Sequence, residues 1–87
     1  MSTQNSFRIV ASGTFRANAG LTSLGLRPLP NSVLMVCKVD LNKPTTNYRM
    51  EVVNSDQWNV PNLEGLAYVG SYLRGDDTFH VYLGEVK

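Results

Sequence analysis

The chain has one cysteine, one histidine and one tryptophan among 87 residues, and only 17% of its residues are charged. A lone cysteine, Cys37, excludes a disulfide framework and makes a reducing compartment the expectation. It falls in an apolar strand register, where a buried inert thiol is expected rather than a nucleophile. One histidine and one cysteine cannot supply the three or four ligands of a zinc site. The nucleophile elbow, Walker A, dinucleotide and His-Glu-x-x-His phrases are all missing. Asp76 and Asp77 are adjacent and suit a turn better than acid/base work. No catalysis, cofactor or metal is therefore expected. Apolar runs fall well short of the ~20 residues that cross a bilayer. The stretch Met1–Ser6 is polar and uncharged, unlike a signal peptide, and no lipidation phrase occurs. A cytoplasmic, soluble protein without a membrane partner is expected. The net charge of +1 also withholds the strong basic excess of a typical nucleic-acid binder.

What is present is apolar and strand-like. Hydrophobic residues make up 43% of the chain, which is too many for disorder at this low net charge. The length fits a single domain over residues 1–87, with residues 1–5 expected to be flexible. Phe7–Arg16 alternates strictly, with Phe7, Ile9, Ala11, Gly13 and Phe15 expected on the core side and Gly13 marking a bend. Ala17–Asn31, rich in Gly, Pro, Ser and Asn, reads as a long loop pinned by Leu21, Leu24, Leu26 and Leu29. Val33–Leu41 and Tyr48–Val53 read as two strands of a long hairpin, turning at Asn42–Asn47. Asn54–Gly65 is a polar interval with room for one helical turn. Leu66–Arg74 and Thr78–Leu83, separated by Gly75-Asp76-Asp77, give the strongest hairpin signal. The expected fold class is all-β: five strands in a small OB-fold-like Greek-key barrel with a long loop after the first strand. A five-stranded sandwich or open sheet satisfies the same alternation.

Gly65-Leu66-Ala67-Tyr68-Val69-Gly70-Ser71-Tyr72-Leu73-Arg74 resembles the fourth-strand signature of bacterial single-stranded-DNA-binding proteins and their PriB relatives. In that family a Gly-x-x-x-x-Val-x-Gly-x-Leu-like phrase leads into a hairpin whose last strand ends Glu-Val, as Glu85-Val86 does here. Phe7-Arg8-Ile9-Val10-Ala11-Ser12-Gly13-Thr14 is similar to the family's first strand. The likeness covers about half the chain. The family's acidic Gly-rich tail and its longer helix before the fourth strand have no counterpart, so the resemblance is to a minimal phage- or plasmid-type version. It implies binding of single-stranded DNA, or RNA, without strong sequence preference, in support of replication or recombination.

That chemistry needs aromatic faces for stacking and cations along the phosphates. If Ala67, Val69 and Leu73 face the core, Tyr68, Tyr72 and Arg74 project from the fourth strand. If Phe79, Val81 and Leu83 face inward, His80 and Tyr82 project from the fifth. Arg8, Arg49 and Lys38 complete the candidate nucleic-acid site. The tyrosines have two other readings, a subunit interface or plain strand surface. Trp58 is expected to cap the core. A homo-oligomer, dimer or higher, would multiply phosphate contacts and cover sheet edges. The competing function is a non-catalytic, phage-type structural or interaction module, such as a particle component or an inhibitor of a host protein. Its tyrosine face would then meet a protein partner, with Trp58 as a further anchor.

Overall fold

The N-terminal run passes from one sheet to the facing one, and the side it turns to the core changes on the way. In the computed structural model, which describes residues 3–86, the run divides into β1 (Thr3–Ile9) and β2 (Gly13–Asn18). Gly13, at φ 150° with open space where a Cβ would stand, supplies a conformation that L side chains rarely adopt. Five further strands follow: β3 (Thr22–Pro28), β4 (Val33–Asp40), β5 (Thr45–Asn54), β6 (Ala67–Arg74) and β7 (Asp77–Glu85). They form two antiparallel sheets, one ordered β1-β4-β3 and the other β2-β5-β7-β6. The class is all-β, as expected. The architecture is seven strands in two sheets and not a closed five-stranded barrel.

Two connections differ from expectation. The long loop after the first strand contains β3, which pairs with β4 through a bulge between Ser23 and Gly25. The hairpin expected of Val33–Leu41 with Tyr48–Val53 does not form. Asp40 instead closes a tight turn, its carboxylate accepting from the Asn42 amide at 2.9 Å and its carbonyl from the Lys43 amide at 3.1 Å. That turn sends the chain into the other sheet, where β5 pairs with β2 and β7. The β6–β7 hairpin forms as read, with Arg74 opposite Asp77. Of the start expected to be flexible, residues 3–5 pair in β1 and Met1 and Ser2 lie outside the described residues. None of the described residues forms a helix long and apolar enough to cross a membrane.

The core lies between the sheets. Val33, Met35, Cys37 and Val39 are all buried, as their alternation requires, and Met35 and Cys37 meet Met50, Val81 and Leu83 from the other sheet. Tyr48 is buried too. Its hydroxyl donates to the Asn18 carbonyl and accepts from the Leu21 amide, both at 3.2 Å, which removes the cost of an unpartnered phenol. Each fully buried Met or Val contributes about 1.5–3 kcal/mol. Among the described residues the largest fully enclosed side chains are Met35, Met50, Val81 and Cys37, a small core of the kind expected to leave a domain of this length a modest stability margin.

The first strand's faces are inverted in β1 and correct in β2. The inner residues opposite Met35 and Cys37 are Arg8 and Ser6, so Phe7 and Ile9 point outward, 54% and 69% exposed. Beyond the bend, Phe15 and Ala17 face the core.

Candidate nucleic-acid interface

β5 and β6 both run antiparallel to β7, so the chain from Ser55 to Leu66 must travel the length of β7 to join them. It does so over the outer face of the four-stranded sheet. Gly84 lies beneath it, so close that a Cβ there would collide with the Gly65 carbonyl and stand 2.8 Å from Leu66 Cδ2. The aromatic cluster lies on this same outer face.

Tyr68 and Tyr82 are cross-strand neighbours, their rings edge-to-face with centroids 5.4 Å apart. The Tyr68 ring is 5.8 Å from that of His80, and its hydroxyl lies 3.2 Å from His80 Nδ1. With the imidazole neutral and protonated on Nε2, the tyrosine donates. Tyr68 is 55% exposed. Each of these contacts locks a ring, which reduces the entropy lost when a flat ligand stacks there.

Tyr72 and Arg74 do not join this surface. A bulge between Tyr68 and Gly70 places an extra residue, Val69, in β6, and every side chain after it changes face. Tyr72 turns inward, stacked on Phe79 at 5.3 Å and packed against the core. Leu73, expected inside, is 69% exposed. Arg74 clamps the β3–β4 connection, donating to the carbonyls of Leu29, Pro30 and Ser32 at 3.0–3.1 Å. That is a structural use of the guanidinium.

The other cations are dispersed. Arg49 sits beside the cluster, paired with Glu51 at 3.2 Å, and Glu51 is opposite Tyr82. Lys38 is exposed on the outer face of the other sheet, between Asn5 and Thr22. Arg8 reaches across the open corner between the sheets, where its guanidinium lies 4.6 Å from the centre of the Phe15 ring. The structure thus brings together Tyr68, Tyr82 and His80 with Arg49 near them, and leaves Tyr72, Arg74, Arg8 and Lys38 elsewhere.

Three features escape the strand-by-strand reading. Trp58 does not cap the core: it is 95% exposed on a turn braced by Gln57 and Asn54. Phe7 is on the surface. And charge is segregated. Residues 1–50 hold six of the eight Lys and Arg and a single acid, Asp40, whereas residues 51–87 hold six of the seven acids. This asymmetry is legible in the sequence, hidden by the near-zero net charge. Burial raises the pKa of the Cys37 thiol, with Arg8 partly opposing, which keeps it protonated and unreactive. Among the described residues no three His, Cys, Asp or Glu side chains come together as a metal site would require. Comparison of the chain with protein-family models, curated proteins and solved structures finds no match.

Proposed function

We propose that the protein binds single-stranded nucleic acid, DNA first, without strong sequence preference and without catalysis. The observation that carries the reading is the exposed, mutually braced ring cluster of Tyr68, Tyr82 and His80 on an open sheet face. Stacking on such rings contributes about 1–3 kcal/mol per base and tolerates any sequence. The basic first half of the chain supplies the electrostatic attraction that the net charge conceals. The likeness of Gly65–Arg74 to bacterial single-stranded-DNA-binding proteins points the same way, and a role in replication or recombination in the cytoplasm is part of the same proposal. Homo-oligomerisation belongs to the same proposal, because the few cations of one protomer give modest affinity alone.

The test is fluorescence of Trp58 and the tyrosines while oligo-dT is added at low and then raised salt. Saturable quenching that weakens steeply with salt, and falls about tenfold in affinity in Tyr68→Ala, is expected. No signal at micromolar protein refutes the reading. A protein-interaction module is the second reading, and Trp58 favours it. That ring and Val60 are exposed on a segment carrying Asp56 and Glu64 and no cation, which repels phosphate and suits a protein partner. Binding through that surface would change little with salt.

A further inference from the structure

We propose that the cleft at the β1–β2 bend is a second nucleotide subsite, taking one base against Phe7 and its phosphate on Arg8; this rests on the single-strand reading above. β1 and β2 are edge strands of different sheets, and where the chain passes between them the sandwich opens at a corner. The opening has a volume of about 420 Å³ and is lined by Phe7, Arg8, Ile9, Gly13, Thr14 and Phe15 among others. That is within the ~300–1,000 Å³ of ordinary small-ligand sites.

Its floor is rigid. The Arg8 guanidinium lies over Phe15, and Phe15 stacks on buried Tyr48 at 5.6 Å and 17°. Tyr48 is itself held by its two hydrogen bonds. Arg8 donates to the Arg16 carbonyl at 2.7 Å, which fixes the guanidinium and uses one of its five donors. Its fork is the geometry that binds phosphate. Phe7 also lines the cleft and is exposed, its side chain leaving β1 on the side opposite to Arg8, so a nucleotide would reach both by crossing the strand's free edge. Gly13 leaves open space on the cleft wall where any other residue would place a Cβ.

Charge selects the occupant. No acid lines this cleft, and Thr14 on its wall is opposite Arg49. A smaller cleft beside the crossover is lined by Arg49 together with Glu64 and Glu85. An anion with a flat apolar part therefore fits the first cleft and is repelled from the second. A nucleotide unit of a single strand has both parts.

The experiment is a ¹H–¹⁵N titration of the folded protein with dTMP and with a short oligo-dT, combined with salt-dependent affinities of Phe7→Ala and Arg8→Gln. Amide shifts over Phe7–Phe15 are expected with both probes. Either substitution should weaken oligo-dT binding about tenfold. Arg8→Gln should also flatten the log–log salt slope by about 0.7, the value for one phosphate on a single strand, while Phe7→Ala leaves the slope unchanged. Wild-type affinity in both variants, with shifts confined to β6 and β7, overturns the cleft and spares the functional reading. A weaker Arg8→Gln with an unaltered slope assigns Arg8 a structural part and overturns the phosphate contact. Loss of affinity in Phe7→Ala that tracks a change of oligomeric mass makes the face a subunit contact and also overturns it. If wild-type protein binds no oligo-dT, the functional reading falls, and dTMP shifts at Phe7–Phe15, present or absent, decide the cleft alone.

Discussion

Adding one methyl group at Gly84 tests whether the Ser55–Leu66 crossover lies on the outer face of the four-stranded sheet, where it borders the tyrosine cluster. In Gly84→Ala the new carbon would overlap the Gly65 carbonyl and stand 2.8 Å from Leu66 Cδ2. The carbonyl is backbone and cannot rotate away, so the crossover must lift or the strand must move. Overpacking of this kind costs about 1–3 kcal/mol. For a domain of this length 1 kcal/mol shifts the melting temperature by roughly 4–8 °C, so a fall of at least ~4 °C is expected. Gly70→Ala is the control. Its Cβ would meet only Leu26, at 3.5 Å from Cδ1, and its backbone lies in an ordinary region. Reduced freedom of the unfolded chain then leaves it neutral or more stable by up to ~1 kcal/mol. Thermal denaturation followed by far-ultraviolet circular dichroism measures both. Equal melting temperatures for wild type and Gly84→Ala would refute the crossover path, and with it the border it gives to the Tyr68 face.

Arg74→Ala removes three hydrogen bonds to the β3–β4 connection and is expected to cost ~1–2 kcal/mol in urea denaturation, discounted for their partial exposure; an unchanged midpoint would show that the clamp holds nothing. Gly13→Val forces a branched side chain into φ 150° at the bend and should cost about 1–3 kcal/mol, whereas Thr14→Val, on the outer side of the same strand, should shift stability by less than ~0.5 kcal/mol. Cys37 keeps its proton in the folded state because burial raises its pKa, while in the unfolded chain it ionises at the ordinary thiol value of about 8.5. Above that pH the unfolded state binds fewer protons, so the contribution of Cys37 to stability should be flat below pH ~8 and fall as pH rises past it. Cys37→Ala should abolish that component of the pH dependence, and a curve unaltered by the substitution would assign it to another group.

How far the fold could be read from sequence followed from whether each pattern was set by local or by distant contacts. Val33–Val39 was legible because its alternation agrees with the pairing that forms, and the β6–β7 hairpin because its Gly75-Asp76-Asp77 turn does, although β6 changes face part-way. β3 was hidden. Gly25 and Pro28 dilute its pattern, and it is a strand because β4 offers an edge and a bulge absorbs the mismatch. The tyrosine face was half legible: Tyr68, Tyr82 and His80 precede the bulge or lie on the regular strand, whereas Tyr72 and Arg74 follow it and reverse. Nothing local announces that bulge. Trp58, expected to cap the core, is 95% exposed because two open sheets leave no barrel end for it to plug. The phase of β1 failed for a related reason. One continuous alternation suggests one face, but this run changes sheets between Ile9 and Gly13 and gives the core its other side beyond the bend. The same reversal that turns Phe7 and Ile9 to solvent brings Arg8 onto the Phe15 ring. The Arg8–Phe15 contact thus arises where the sequence pattern is misleading, because an open corner between sheets accepts a guanidinium that a closed core would exclude.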